Sequence, residues 1–272
     1  MARAVADRGP SAVTLRVVST LVLAPIALGA ILLGRPYFEF MVAAGVAVLA
    51  WEWDRLCGSE RFGLVGGVLV ASVVASVAAA GFGHVTAAFA LIAAGVLGAY
   101  GASRARRVAN PLWHAAGPIY VGVPSVAMVW LRGDFGVDVA LWLFLAVWAT
   151  DMGAYAAGRT FGGPHLAPRV SPNKTWAGLF GGMVAAGLVG LAMGYGRAEL
   201  APLVALSAVL AVVAQLGDLA ESGVKRRFNV KDTSGLIPGH GGLLDRVDGL
   251  LAAAPAVALI ELVARGSVPS WP

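Results

Sequence analysis

Charged side chains are scarce in this sequence. Asp, Glu, Lys and Arg make up 13% of 272 residues, where soluble domains carry about 25%. Hydrophobic residues make up 58%, and the mean hydropathy is +0.79. That balance excludes an ordinary soluble fold and predicts an all-α, polytopic bundle embedded in a membrane. Cysteine is almost missing: Cys57 stands alone, so an intrachain disulfide is excluded, as is a thiolate metal site. Its plain role is a small apolar filler near an interface. No soluble-domain linker, low-complexity tract or convincing internal repeat interrupts the chain, which is read as one membrane domain over 1–272. Within it, 1–136 holds amino-terminal spans and 137–272 holds later spans with their polar loops. A Walker A loop is absent, because Gly-x-x-x-x-Gly-Lys-Ser/Thr is nowhere met. The net charge of +5 and pI near 9.8 would suit nucleic acid, but the distribution of the charges argues against it.

What is present is a series of apolar runs of about the ~20 residues that cross a bilayer. They lie at 17–33, 37–53, 63–81, 85–101, 112–131, 137–157, 177–195, 203–216 and 247–263, predicting about nine spans. The first follows Arg3, Arg8 and Arg16. It is long for a signal-peptide core and ends in Gly34-Arg35-Pro36 rather than a small-residue cleavage site, so it reads as a retained span. The second carries Glu39 and ends in Trp51-Glu52-Trp53-Asp54, an interfacial aromatic belt. The third and fourth are rich in Ala, Gly, Ser and Val, which permit close helix packing in lipid. The fifth is interrupted by Gly117-Pro118 and Pro124, and its His114 serves packing or faces a polar cavity. Arg104, Arg106 and Arg107 form a charge run that obeys the positive-inside rule, with a lipid-headgroup site or a nucleic-acid patch as the alternatives. With the amino terminus inside, only Arg35, Arg132, Arg197 and Arg265 of the twenty basic residues fall outside, a strong asymmetry.

The polar chemistry gathers in two stretches. The sixth span carries Asp151, and an ionisable group at such depth is a functional candidate by default. After it come Gly158-Arg159-Thr160-Phe161-Gly162-Gly163 and Ser171-Pro172-Asn173-Lys174-Thr175-Trp176. This loop is either an ordinary positive-inside loop or a phosphate site built from backbone N–H groups, Lys174 and a helix N-terminus. The second stretch, 222–249, has the chain's highest density of Lys, Arg, Asp and His. It lacks an apolar stripe and is read as an ordered loop whose glycines let backbone approach a ligand. Asp218 and Glu221 precede it, three apart. Asp245 and Asp248, also three apart, close it and share one face of a helix start. Carboxylates beside Lys225, Arg226, Lys231 and Arg246 suit a hard divalent cation held against phosphate oxygens.

Ser222, Lys225, Arg226, Lys231, Asp232, His240, Gly241, Gly242, Asp245, Arg246 and Asp248 fill a long, uninterrupted pattern. In it the chain resembles the phosphatidate cytidylyltransferases, also called CDP-diacylglycerol synthases. Asp151, Ala154, Tyr155, Gly158, Arg159, Ser171, Pro172, Lys174 and Thr175 extend the resemblance, with Asn173 standing where relatives often have Lys. Similarity of this kind runs from about Asp151 to Asp248.

The resemblance implies transfer of the cytidylyl group of CTP to phosphatidate at the cytoplasmic face of a cell inner membrane, with release of pyrophosphate. It implies Mg2+ held by Asp218, Asp245 and Asp248, with Asp151 and Glu221 as second-ion or outer groups. Lys225, Arg226, Lys231 and Arg246 would clamp phosphates, assisted by Lys174, Ser171, Thr175, Ser222, Gly241 and Gly242. His240 either donates to a phosphate or shapes its turn. A homodimer is also implied, and nucleic acid is not a partner. The Asp-Gly-x-x-Ala-Arg pattern of CDP-alcohol phosphotransferases is absent. A CTP-dependent lipid kinase and a secondary transporter are the competing expectations, although the charges cluster at one face and no inverted repeat is evident.

Overall fold

The computed structural model describes residues 12–59, 61–196, 200–237 and 241–264. The helices are α1 (Ala12–Leu33), α2 (Tyr37–Leu56), α3 (Leu64–Gly81), α4 (Val85–Ala105), α5 (Pro111–Gly117) and α6 (Val123–Asp134). They are followed by α7 (Gly136–Phe161), α8 (Trp176–Gly194), α9 (Leu200–Arg227) and α10 (Leu244–Ala264). Six described segments are long and apolar enough to cross a membrane: α3, α4, α5 through α6, α7, α8 and α9. A shorter apolar run, Leu21–Leu33, lies in α1. The chain is a multi-pass helical membrane protein.

Three expectations are modified. The fifth span is continuous rather than broken, because a π-helical turn over Pro118–Gly122 carries the chain from α5 into α6. Proline removes an N–H from the ladder, and the Ser125 hydroxyl donates to the Val121 carbonyl at 2.7 Å in this region. The loop expected from Ser222 begins only after Arg227, since α9 continues through Lys225, Arg226 and Arg227. Cations in a last turn suit the negative end of the helix dipole. The loop after α7 holds a short antiparallel hairpin, β1 (His165–Ala167) and β2 (Ser171–Thr175), with Ala167 opposite Ser171.

Close approaches at glycine set the packing. A Cβ on Gly153 of α7 would lie 2.6 Å from the Gly181 carbonyl of α8, and one on Gly217 of α9 would lie 2.7 Å from the Asp248 carbonyl of α10. Small residues thus bring backbones together where lipid supplies no hydrophobic drive between helices. The buried Trp142 indole of α7 donates to Ser207 of α9 at 2.8 Å.

Among the described residues, the motif side chains gather at one end of the bundle. There the carboxyl ends of α2 and α9 meet β2 and the amino end of α10, through bonds from Lys174 to Gln215, from Lys225 to Asp245 and from the Leu244 N–H to Glu52, and Gly158 near the end of α7 lies against Thr175 and Gly178 at the start of α8. At the other end of α2's partner helices, Arg132 donates to the Ile31 carbonyl at 2.8 Å.

Candidate active site

Asp218 and Glu221 sit three apart on α9 and therefore on one helical face. Across from them, Asp248 comes one turn into α10. Because Gly217 lets α9 and α10 touch, one oxygen from each of Asp218, Glu221 and Asp248 lies within 4.8 Å of the others. Three carboxylates so crowded repel one another, and Glu221 is almost fully buried at 1% exposure. A divalent cation relieves such crowding, and an all-oxygen set suits a hard ion.

Two lysines border the trio. Lys174, at the end of β2, holds Asp218 at 2.6 Å and the Gln215 side-chain carbonyl at 3.0 Å. Lys225, one turn beyond Glu221, reaches Glu221 at 2.5 Å and Asp245 at 2.7 Å. It therefore couples the ends of α9 and α10.

Asp245 is placed differently from Asp248. Besides Lys225, its carboxylate accepts from the Gly242 N–H at 2.8 Å, the Thr233 N–H at 3.0 Å and the Thr233 hydroxyl at 3.1 Å. It thus fastens both arms of the segment 228–243. Gly241 closes this segment with a positive φ of 91°, pairing with Ile237 through reciprocal backbone bonds of 2.8 and 3.1 Å. A side chain at Gly242 would run into Thr233 and Glu52. His240 lies outside the described residues.

A cavity of about 400 Å³ opens between these elements, lined by Asp151, Tyr155, Asn173, Lys174, Thr175, Gln215, Asp218, Lys225, Asp232, Asp245, Arg246 and Asp248. Its size falls in the ordinary range of ligand pockets. Asp151 therefore faces the same space from α7. Thr175 accepts from the Gly178 N–H at 3.0 Å and caps α8, a role its residue type favours at an N-terminus. Ser222 donates to Asp218 at 3.4 Å. Arg226, Lys231 and Ser171 are not among the residues that line the cavity. The Arg226 guanidinium instead donates to the Val170 and Val230 carbonyls at 3.4 and 3.3 Å, tying the hairpin to the segment after α9.

The polar end also contains residues that sequence reasoning assigned elsewhere. Glu52, read as part of an aromatic belt, is fully buried and accepts from the Leu243 and Leu244 N–H groups and the Ser234 hydroxyl. The signal was its acidity within an apolar run. Asp54 and His114 form a buried pair at 3.1 Å, which resolves His114 as a packed, paired side chain.

The model of the cytidylyltransferase family matches residues 14–263. The chain belongs to the cytidylyltransferase family. A Pseudomonas aeruginosa relative named phosphatidate cytidylyltransferase is 38% identical over 273 residues, covering 93% of this chain and 98% of the relative. Relatives of the same name from Brucella suis and Brucella melitensis are 49% identical over 169 residues, 58% of this chain. The chain spans 60% of the length of those Brucella relatives. Membership in this cytidylyltransferase family agrees with the resemblance carried by the motif residues from Asp151 to Asp248.

Proposed function

We propose that this protein is a phosphatidate cytidylyltransferase, joining CTP and phosphatidate into CDP-diacylglycerol and pyrophosphate. The observation that carries the reading is one cavity lined by Asp218 and Asp248 together with Lys174, Lys225 and Arg246, in a family member whose near full-length relative bears that name. A phosphate oxygen of phosphatidate forms a bond to the α-phosphorus of CTP. The bond from that phosphorus to the bridging oxygen breaks, and its electron pair leaves with pyrophosphate. A phosphate monoester, with a second pKa near 6, is already largely ionised, so the site needs no strong base. Its task is to hold two anions in line and neutralise them.

Asp218, Glu221 and Asp248 would hold magnesium, a fit supported by their converging oxygens. The bound ion supplies charge neutralisation at phosphate oxygens. Asp151, which lines the same cavity from α7, is the candidate for a second ion. Asp245 keeps Lys225 and the glycine segment beside the trio, and Lys174, Lys225 and Arg246 clamp phosphates. Arg226, Lys231 and Ser171 act from the rim, with Ser222 orienting Asp218. On this reading α1, α2 and α10 also cross the bilayer, which makes nine spans with the amino terminus cytoplasmic in the inner membrane. CTP enters from the cytoplasm, while phosphatidate keeps its acyl chains in lipid. The protein works as a homodimer, for which cross-linking in native membranes is the test.

Purified protein given CTP labelled at the α-phosphorus, phosphatidate and Mg2+ should produce labelled CDP-diacylglycerol. EDTA should stop the reaction. Release of labelled CDP would identify a lipid kinase, and uptake into proteoliposomes without conversion would identify a transporter.

A further inference from the structure

Glu52 belongs to α2, far in sequence from every motif residue, yet each of its hydrogen bonds among the described residues goes to the motif segment. Its Oε1 accepts from the Ser234 hydroxyl at 2.6 Å and from the Leu243 N–H at 2.9 Å. Its Oε2 accepts from the Leu244 N–H at 2.7 Å. Leu244 is the first residue of α10, and its neighbour Leu243 offers no side-chain acceptor. A helix normally satisfies its leading N–H groups with a local Ser, Thr, Asp or Asn. Here the acceptor comes from another helix, and its negative charge lies at the favourable end of the α10 dipole.

The consequence reaches the acidic trio. Asp245 fastens Thr233 and Gly242, and Glu52 fastens Ser234, Leu243 and Leu244, so the two carboxylates hold the same turn from opposite directions. Asp248 follows one turn along α10, where its oxygen converges on Asp218 and Glu221. A Cβ at Gly242 would lie 2.6 Å from Glu52 Oε1, so only glycine leaves room for this contact. A second tie runs beside it: Trp113 of α5 packs edge-on against Phe228, ring centroids 5.4 Å apart. The same α2 is joined to α5 by the Trp53 indole, which donates to the Trp113 carbonyl at 2.7 Å.

We infer that Glu52 is a positioning residue of the active site, a buried carboxylate from the amino-terminal half that fixes the start of α10 and thereby sets Asp248 against Asp218 and Glu221. This inference rests on the proposed function for its catalytic meaning, but the placement itself can be measured separately. It also makes α2 part of the catalytic unit.

The test uses the full-length protein in detergent with Glu52→Gln, a change that keeps size and one acceptor but sets an amide donor against a backbone donor. Hydrogen exchange over 232–248 reports placement. Manganese(II) binding, followed by loss of the free-ion resonance signal, and the KM for CTP report the site. Exchange should accelerate across 232–248, and half-saturating Mn2+ should rise on the order of tenfold, the effect of losing one charge-assisted bond. A purely structural Glu52 would lower the melting temperature and leave half-saturation of the folded protein unchanged, and that result would overturn the inference. If Glu52→Gln fails to fold, Ser234→Ala removes one donor to Glu52 and should shift exchange and Mn2+ binding in the same direction by a few-fold. Unaltered values there would equally overturn it. Should the wild type make no CDP-diacylglycerol, the reading of function fails, while exchange and Mn2+ binding still decide the role of Glu52.

Discussion

Asp245 and Asp248 have the same chemistry and lie three positions apart, yet their surroundings separate their jobs. Asp248 accepts only from its neighbour's N–H, Gly249 at 2.8 Å, among the described bonds, and its oxygen converges on two other carboxylates. Asp245 accepts from Lys225, Thr233 and Gly242. Asp248→Ala should therefore reduce cytidylyl transfer by about 10²-fold or more while leaving the melting temperature in detergent unchanged or higher, because like charges are relieved. Asp245→Ala orphans three buried donors and, among the described residues, leaves Lys225 with Glu221 alone, so it should cost about 3 kcal/mol of stability. Melting curves beside initial rates separate the two; equal destabilisation would erase the distinction. Lys225→Ala should raise the KM for CTP or slow turnover, and wild-type kinetics would remove Lys225 from the clamp. The residue types of the trio were legible from sequence as two carboxylate pairs. Which pair member turned inward was not, because that depends on whether the Gly242 and Thr233 N–H groups find another acceptor.

Helices α9 and α10 show what spacing alone leaves open at the level of elements. The charged stretch from Ser222 onward suggested a loop there, but the helix continues to Arg227, with Val224 still packed against the core. Charge density was mistaken for loop where it marked a helix face. The hairpin before α8 was hidden for a different reason, since strands of three and five residues are too short for alternation to register. The third and fourth spans, rich in small residues, were legible as close-packing helices, and Gly217 of α9 shows the same device elsewhere in the bundle. Its missing side chain admits the Asp248 carbonyl and the Ala252 methyl. Gly217→Val should push α9 from α10, cost about 1–3 kcal/mol, and weaken Mn2+ binding at the trio. Gly67, around whose Cβ position there is open space, provides the control: Gly67→Ala should leave Mn2+ binding as in wild type. Mn2+ titration of both variants checks this, and an unaffected Gly217→Val would mean the helix contact does not set the carboxylates.

At the scale of the whole molecule, the polar end assembles from parts widely separated in sequence: the carboxyl ends of α2, α7 and α9 and the amino ends of α8 and α10 all meet there. Such a meeting requires each intervening helix to cross the bundle completely, so the count and direction of the crossings decide which compartment the cavity faces. The proposed direction rests on the basic residues. Arg104 stands in the last turn of α4 and Arg106 and Arg107 follow it; on the orientation proposed above, which the positive-inside rule favours, they lie in the cytoplasm and the turn between α3 and α4 faces outward. Cys57 is fully buried and can be replaced by serine to give a background without thiols. In that background, His84→Cys, in the exposed turn before α4, should react with a membrane-impermeant maleimide added outside intact spheroplasts. Arg106→Cys, exposed after α4, should react only once the membrane is opened. The reverse pattern would turn Asp218, Glu221 and Asp248 away from the compartment that holds CTP, and no arrangement of carboxylates could then serve the proposed reaction.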